Sequence, residues 1–595
     1  MTPSHGDKTV YWDTEDDSIE LAKAGKSGLN KVCTQIAAID SDGNRFHLRP
    51  TVISRRKHGH GIVRARWDVE PFLNWLASRG PRCTAWAHNT QYDLGNLWPD
   101  ELDKFNVTMV GGRLVSARWD NVRFLDTANI FPMPLARLGE SVGLKKLKTD
   151  AKSERYLWRD VEIVERGVKL LREMCEEYEA EEASTLGGLC VRFWHAMGGS
   201  NWPCSLEPAR DAYFGGRVEV FAPEMHGNLW YTDVNSLYPA MMLEKFPTAA
   251  DLWFGLDDVD RAEGVLRGKA DCWGVATVAL DVPEMDVCPL PVRHESGAVY
   301  YPWGRLEGTW TVHEIRRALA KGAKLKRLDA AWGSMTGDTY YGDFVRHFYE
   351  QRRVEKDPGR KLMLKLLMNN LYGQLGMSGK VTRSLRLANH AVDLGGGNFA
   401  CTKDGVPYGE KLLAETQMPL AEHVNWLHAA YVTSYGRLAL QRFLDLIPPQ
   451  DLIYCDTDSV FFRAENPPFP ISDQLGEMKL ETRLTDAWCR SPKMYRIDNR
   501  DTRGTKGDFA NGPVTKIKGV PRKEKLPETM FDTGRCLFRQ PYKMRESIAA
   551  FDGASNNVTP KTRILSAWRD VEKTIISGYD KKDLRDGRFF PKQHL

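Results

Sequence analysis

Residues Ile453–Phe462 read IYCDTDSVFF, and they set two carboxylates one residue apart inside an otherwise apolar segment. The alternation at the start, the polar Asp-Thr-Asp centre and the Val-Phe-Phe exit predict strand, tight turn and strand. A hairpin tip would bring Asp456 and Asp458 close together. Two like charges at that distance disfavour their own ionised forms, so the arrangement makes most sense if cations neutralise them. The competing reading is a surface turn, because Asp and Thr are common there.

The wider chain limits what such a hairpin could serve. Its 595 residues suffice for several domains, and a 42% hydrophobic share is ordinary for globular proteins. The 11 cysteines include no CxxC pair, so no zinc ribbon, cysteine-held cluster or disulfide framework is signalled, and a reducing cytoplasm fits best. The opening MTPSHGDKTV lacks an apolar signal-peptide segment, and no run is long enough to span a bilayer, which predicts a soluble protein. The net charge of +4 balances 83 basic against 79 acidic residues, which permits a nucleic-acid partner without demanding one.

Residues 7–190 alternate in the manner of an α/β unit. KTVYWDTE, TAWAHN and VRFLDTA read as strands, DVEPFLNWLAS as a helix, and the stretch beginning RYLWRDVEIVERG as a long amphipathic helix. A Gly-, Trp- and Pro-containing segment, GGSNWPCSLEPARDAYFGG, is the best linker candidate. NLWYTDVNSLYPAMM should be strand and then, after its proline, helix. KLMLKLLMNNLYG and HVNWLHAAYVTSYGRLALQRFLDL are predicted helices, and the Gly-rich stretch between them an insertion of loops and short strands.

Asp233 ends the apolar strand NLWYTD, and a neighbouring strand position could let it complete a triangle with Asp456 and Asp458. Such a triangle suits phosphoryl transfer, in which paired cations activate a hydroxyl and stabilise leaving pyrophosphate. The helix near residue 361 offers an independent indication: at 100° per residue Lys361, Lys365, Asn369 and Tyr372 fall at about 0°, 40°, 80° and 20°. A stripe with two lysines and a tyrosine suits a triphosphate and a stacked base or sugar, although a solvent-facing stripe would look similar.

YTDVNSLYPA (231–240), KLLMNNLYG (365–373) and YCDTDS (454–459) together resemble the three polymerase motifs of family B DNA polymerases, in order. That resemblance implies that Asp233, Asp458 and the Val234 carbonyl would ligate two Mg2+ or Mn2+ ions, with Asp456 as a further catalytic carboxylate. Val234, Ser236, Leu237 and Tyr238 would line the nucleotide, the Tyr238 ring leaving no room for a 2′-hydroxyl. Lys361 and Lys365 would hold the triphosphate, and Asn369 and Tyr372 would flank the incoming base pair. Asn370 replaces the usual serine, at about 180° from the start of the stripe, and so points away from it.

The first 190 residues hold a second set of acids. Asp13 and Glu15 alternate along a strand, Asp93 follows another strand in AHNTQYDLG, and Tyr156 and Asp160 share a helix face. Four acids and a tyrosine able to converge suit two-metal hydrolysis of a phosphodiester, and scattered surface acids are the alternative. D-x-E, N-x-x-Y-D and Y-x-x-x-D in this order are similar to the three motifs of the 3′-5′ proofreading exonuclease preceding family B polymerase domains. By that likeness Asn89 and Thr127 would contact a single-stranded 3′ end, with Ala128 departing from the common leucine. Tyr213, Gly215 and Gly216 resemble the Y-x-G-G element that handles the template. Lys493 and Tyr495, with Lys516 and Lys518 in the run Thr515–Lys523, resemble elements that grip the primer strand.

The fold class implied is α/β and α+β multidomain, a ribonuclease H-like exonuclease followed by a right-hand polymerase of palm, fingers and thumb. The expected boundaries are exonuclease 1–190, linker with Y-x-G-G 191–230, and first palm part 231–340 with a terminal-protein-region insertion. Fingers at 341–375, an insertion for processivity and strand displacement at 376–422, second palm part 423–523 and thumb 524–595 complete the order. The early start of the exonuclease, the form of YTDVNSLYPAMM and the insertion resemble protein-primed polymerases of phages and linear plasmids. Partners would be template and primer DNA, deoxynucleoside triphosphates and a terminal protein, in a bacterial cytoplasm. Ordinary or primer-free initiation, and a nuclease or DNA-binding protein with an inactive polymerase half, stay open as alternatives.

Overall fold

A computed structural model describes residues 7–20, 29–50, 52–58, 62–97, 105–110, 113–147, 153–252, 263, 266–267, 271–295, 297–377, 381–387, 392–393, 399–400, 407–408, 411–417, 420–498, 513–518, 535–541, 568–574 and 581–594. Two large sheets organise it, and each carries one of the carboxylate sets.

In the N-terminal unit, strands Asp7–Glu20, Arg82–Ala87 and Val122–Asp126 run parallel, flanked by antiparallel neighbours. Alternation places Val10 and Trp12 in one apolar cluster and Tyr11 in another, so the first strand is covered on both faces. The face of Tyr11 is covered by helix Glu154–Glu177, which Ser153 caps by accepting the Tyr156 N–H at 3.2 Å. Its buried stripe includes Leu157, Val161, Val164, Val168 and Leu171, and Asp160 falls within that stripe. The carboxylate is therefore delivered into the interior beside the strand of Asp13 and Glu15.

The second unit is a seven-stranded antiparallel sheet centred on Glu224–Val234, between Ser459–Arg463 and Met478–Ser491. Leu452–Asp456 and Ser459–Arg463 form the expected hairpin, joined through Thr457 and Asp458 with Thr457 at φ +62°. A hairpin closed by two residues favours a positive φ, and here a threonine supplies it. Short strand Val218–Val220 lies along the outer edge of the hairpin.

Helix Pro358–Leu375 begins with proline in its first turn and Asp357 as cap, and packs on helices Leu186–Ala196 and Gly342–Val354. Helix Trp426–Leu444 follows the insertion, its Asn425 cap bonded to the Leu375 carbonyl at 2.9 Å. A five-stranded sheet with Trp273–Val282 at its centre is covered by helix Val312–Ala320.

One sequence expectation needs amendment. The helix after Asp233 spans Leu237–Met241 and so starts before Pro239, which is tolerated because the first-turn N–H groups have no helical partner. Helix Leu186–Ala196 continues across position 190. Strand Val381–Leu387 of the insertion pairs with Asn106–Val110 and extends the N-terminal sheet to ten strands. Positions 519–523 of the basic run and most of 524–595 lie outside the described residues.

Candidate functional site

At the hairpin, Asp233 is registered opposite Ser459, and the Val234 N–H donates to the Asp458 carbonyl at 2.7 Å. Two chain segments far apart in sequence are thus locked side by side, with Asp233 and Asp458 as the acids at the junction. Burial and the neighbouring Asp458 push the Asp233 carboxyl up to about 7, and burial also pushes Asp458 up to about 6. Asp458 penalises the charge of Asp233, and Asp456 that of Asp458, which is the electrostatics of a site built for cations.

Asp456 faces differently. Its carboxylate accepts from Lys493 Nζ at 2.7 Å, Thr457 Oγ1 at 3.2 Å and Tyr454 OH at 3.3 Å. The hairpin tip holds Asp456 near enough to raise Asp458, while Lys493 pairs with Asp456. Tyr495 is placed otherwise than expected. It is 3% exposed and packs on Tyr454 and Phe461, so its ring supports the sheet and is not offered to DNA. Lys516 lies over that ring at 5.5 Å, and Lys518 is exposed.

The nucleotide candidates are gathered beside Asp233. Ser236 caps the short helix at φ +52°, Leu237 is buried, and the Tyr238 ring lies 4.4 Å from that of Tyr372. A Cβ on Gly216 would sit 2.7 Å from Thr457 and 2.9 Å from the Tyr238 hydroxyl, so the glycine is what lets this loop meet both. The loop is held from behind: Arg437 donates to the carbonyls of Phe214 and Gly215 at 2.8 and 2.9 Å and pairs with Glu314. Tyr213 packs against Gly376, at the end of the striped helix.

On that helix Lys361 and Lys365 both reach solvent, and Asn369 and Tyr372 are half-buried. Partial withdrawal from water, then the cations Arg352, Lys479 and Arg137, hold the Lys365 ammonium below the usual lysine range, with Asp233 opposing. Sequence reasoning missed Arg352, Lys479 and Glu481. Lys479 is registered opposite Asp233, its Nζ 3.9 Å from that carboxylate, and it pairs with Glu481. The legible signal was the alternation M-K-L-E in a strand, but nothing local said which strand it would join.

Three acids of the N-terminal set come together. Asp13, Glu15 and Asp160 can each offer an oxygen within 4.8 Å of the others. They line a cavity of about 670 Å3 with Asp93, Tyr156, Asn89, His88 and Lys146 among its walls. Asp93 accepts from Thr14 Oγ1 at 2.6 Å. Burial, then Asp93 and Asp160, raises Asp13 well above the carboxylate range, and burial raises Asp160 despite Lys146 beside it. Asp160 Oδ1 is buried with no hydrogen-bond partner among the described residues, and Asp160 with Asp13 and Glu15 makes three hard oxygen donors that fit a divalent cation. Lys146, which the sequence did not single out, pairs with Asp160 and lies 4.8 Å above the Tyr156 ring. Asn89, at φ +69°, is exposed on the cavity wall. Thr127 is instead buried beneath it, donating to the Ala87 carbonyl and bonded to His88, so it sets the His88 ring and does not reach a ligand.

Residues 145–394 match the family model of DNA polymerase type B, organellar and viral. The DNA-directed DNA polymerase of Enterobacteria phage PRD1 is 23% identical over 486 residues, covering 78% of this chain and 84% of the relative. A probable DNA polymerase of Podospora anserina is 24% identical over 405 residues, 61% of this chain but 31% of the relative. In fold, Phi29 DNA polymerase aligns with a TM-score of 0.67 at 14% identity, over 96% of this chain and 100% of that one. The same protein complexed with primer-template DNA and incoming nucleotides aligns with a TM-score of 0.67 at 13% identity.

Proposed function

We propose that this chain, which resembles family B DNA polymerases and among them the protein-primed enzymes of phages and linear plasmids, is a DNA-templated DNA polymerase with a separate 3′-5′ exonuclease site. The observation that carries the reading is the pairing of Asp233 with Asp458 across the sheet, beside a cluster of cations on the neighbouring helices. In this assignment the seven-stranded sheet is the palm, helices Gly342–Val354 and Pro358–Leu375 the fingers, the N-terminal unit a ribonuclease H-like exonuclease, and 524–595 the thumb.

Asp233 and Asp458 would hold divalent cations, with Mg2+ the natural candidate for carboxylate oxygens and triphosphate. Bound there, such ions lower the pKa of a primer 3′-hydroxyl and neutralise charge on the leaving pyrophosphate. Lys365 and Arg352 bind the triphosphate and orient its α-phosphorus for in-line attack; the new P–O bond forms as the bond to pyrophosphate breaks. Tyr238 packs against Gly436, where an added Cβ would lie 3.2 Å from its ring, and the ring would leave no room for a 2′-hydroxyl. In the N-terminal cavity, Asp13, Glu15, Asp93 and Asp160 would bind cations while Tyr156 orients a water toward the terminal phosphodiester.

Protein priming rests on the resemblance of the motifs and on the likeness to the phage PRD1 relative. Incubation with a candidate terminal protein, deoxynucleotides and no oligonucleotide tests it, a covalent nucleotide–protein adduct being the expected product. For the two activities, Asp458→Ala should reduce primer extension by about a thousandfold or more and leave digestion of single-stranded 3′ ends intact. Asp13→Ala with Glu15→Ala should do the converse. Parallel loss of both activities in either variant would contradict the two-site assignment.

A further inference from the structure

Behind the hairpin, on the side away from the nucleotide helix, three charges are shut inside the protein. Arg217, Glu219 and Lys582 are 1%, 0% and 5% exposed. Arg217 Nε donates to Glu219 Oε2 at 2.5 Å, and Lys582 Nζ reaches Glu219 Oε1 at 2.9 Å. The cations also cover rings, Arg217 over Tyr301 and Lys582 over Phe221, each 4.0 Å from the centroid. Burial opposes ionisation of Glu219, yet Arg217 and Lys582 outweigh it and hold the carboxyl below its usual range.

The position of this cluster matters more than its charge. Val218, between Arg217 and Glu219, is registered opposite Asp456, and Glu219 opposite Cys455. The Arg217 carbonyl accepts the Thr457 N–H at 2.7 Å, so Arg217 grips the turn whose next residue is Asp458. Gly216, immediately before it, touches the same threonine and Tyr238. Lys582 arrives from far along the chain, on a hairpin of Lys582–Arg585 and Arg588–Pro591 closed by Asp586 and Gly587, both at positive φ. That hairpin is seated on the sheet: the Phe589 N–H donates to the Phe221 carbonyl at 2.9 Å, and Arg588 donates to the Pro449 carbonyl at 2.7 Å.

A buried ion network is no general route to stability, since apolar replacements of similar volume often do as well. What it supplies is one fixed geometry, because inside the protein each charge is countered by the others in this arrangement, through the Arg217–Glu219 hydrogen bond and the Lys582–Glu219 ion pair. We propose that Lys582 is a positioning residue for nucleotide addition: it fixes Glu219, Glu219 fixes Arg217, and the Arg217 carbonyl sets the turn that presents Asp458. The end of the 524–595 region thereby becomes part of the polymerase site without touching substrate. This inference rests on the synthesis reading given above.

Lys582→Met tests it, because methionine fills similar volume and leaves the Arg217–Glu219 pair in place. The rate constant of single-nucleotide addition should fall about tenfold and the half-saturating Mg2+ concentration rise about fivefold, with KM for the nucleotide and digestion of single-stranded 3′ ends within about twofold of the parent. Synthesis within about twofold of the parent at unchanged Mg2+ dependence, or equal loss of both activities, overturns the proposal. A parent enzyme that fails to extend a primer would instead refute the synthesis reading itself. The intact protein gives a second measurement that needs no variant, hydrogen–deuterium exchange with primer-template, Mg2+ and the matching nucleotide. Protection gained over 453–462 should be accompanied by protection over 581–591, and gain in the first without the second overturns the coupling.

Discussion

Asp233 and Asp458 are held by the fold in a state they resist. The folded carboxyls lie at about 7 and about 6, against an ordinary value of 3.8, because burial and proximity disfavour the charged forms. A raised folded pKa means that the folded state binds protons more readily than the unfolded chain. The associated stability is complete below the ordinary value and is lost as pH rises through 6 and 7. In chelator, the thermal midpoint should therefore fall between about pH 5 and about pH 8, and saturating Mg2+ should reverse the fall by replacing protons as the counter-charge. Asp13 and Asp160 add to the same trend, so the informative comparison is between parent and Asp233→Asn. The variant should show a shallower decline in chelator; an unchanged slope would remove Asp233 from the coupled pair.

Helix Pro358–Leu375 shows how far a periodic pattern can be read. Its polar stripe could be computed from spacing alone, because 3.6-residue periodicity needs no tertiary information. Lys365 lies in the field of Arg352, Lys479 and Asp233, whereas Lys361 stands about one turn nearer the start of the helix. Lys365→Met should raise KM for the incoming nucleotide by about tenfold, and Lys361→Met by no more than about threefold, in steady-state single-nucleotide addition. Equal effects would mean that the triphosphate lies along the whole stripe. The same contrast explains the limits of sequence reasoning elsewhere. The Asp13–Glu15 strand, the Tyr156–Asp160 helix face and the Asp456–Asp458 hairpin are local periodicities and were legible. Lys479 beside Asp233, and Lys582 beside Glu219, depend on strand pairing and docking between distant segments, which no local spacing encodes. Thr127 and Tyr495 were misplaced for a related reason: the motif supplied the residue type, whereas burial decided which way the side chain turned.

Across the whole molecule, the insertion is the element that joins the two sites. The chain leaves helix Pro358–Leu375, reaches the edge of the N-terminal sheet, and returns to the cap of helix Trp426–Leu444. Its strands Val381–Leu387 and Lys411–Gln417 pair with each other over seven positions, whereas among the described residues the join to Asn106–Val110 is registered at Arg383↔Met109 and Ser384↔Thr108. A hairpin that is well paired internally and lightly paired at its edge behaves as a unit that can stay folded while its docking opens and closes. Such a unit, spanning from the helix of the nucleotide site to the sheet of the N-terminal cavity, suits retention of DNA over many cycles rather than the chemistry of one. Replacing 381–417 with a short Gly-Ser linker should leave single-nucleotide addition and digestion of single-stranded 3′ ends within about threefold of the parent, since neither carboxylate set is touched. Product length per binding event, measured on a long template with excess competitor DNA, should drop severalfold, as should passage through a downstream duplex. Undiminished product length would show that the insertion serves something other than retention, and loss of single addition would show that it supports the nucleotide site itself.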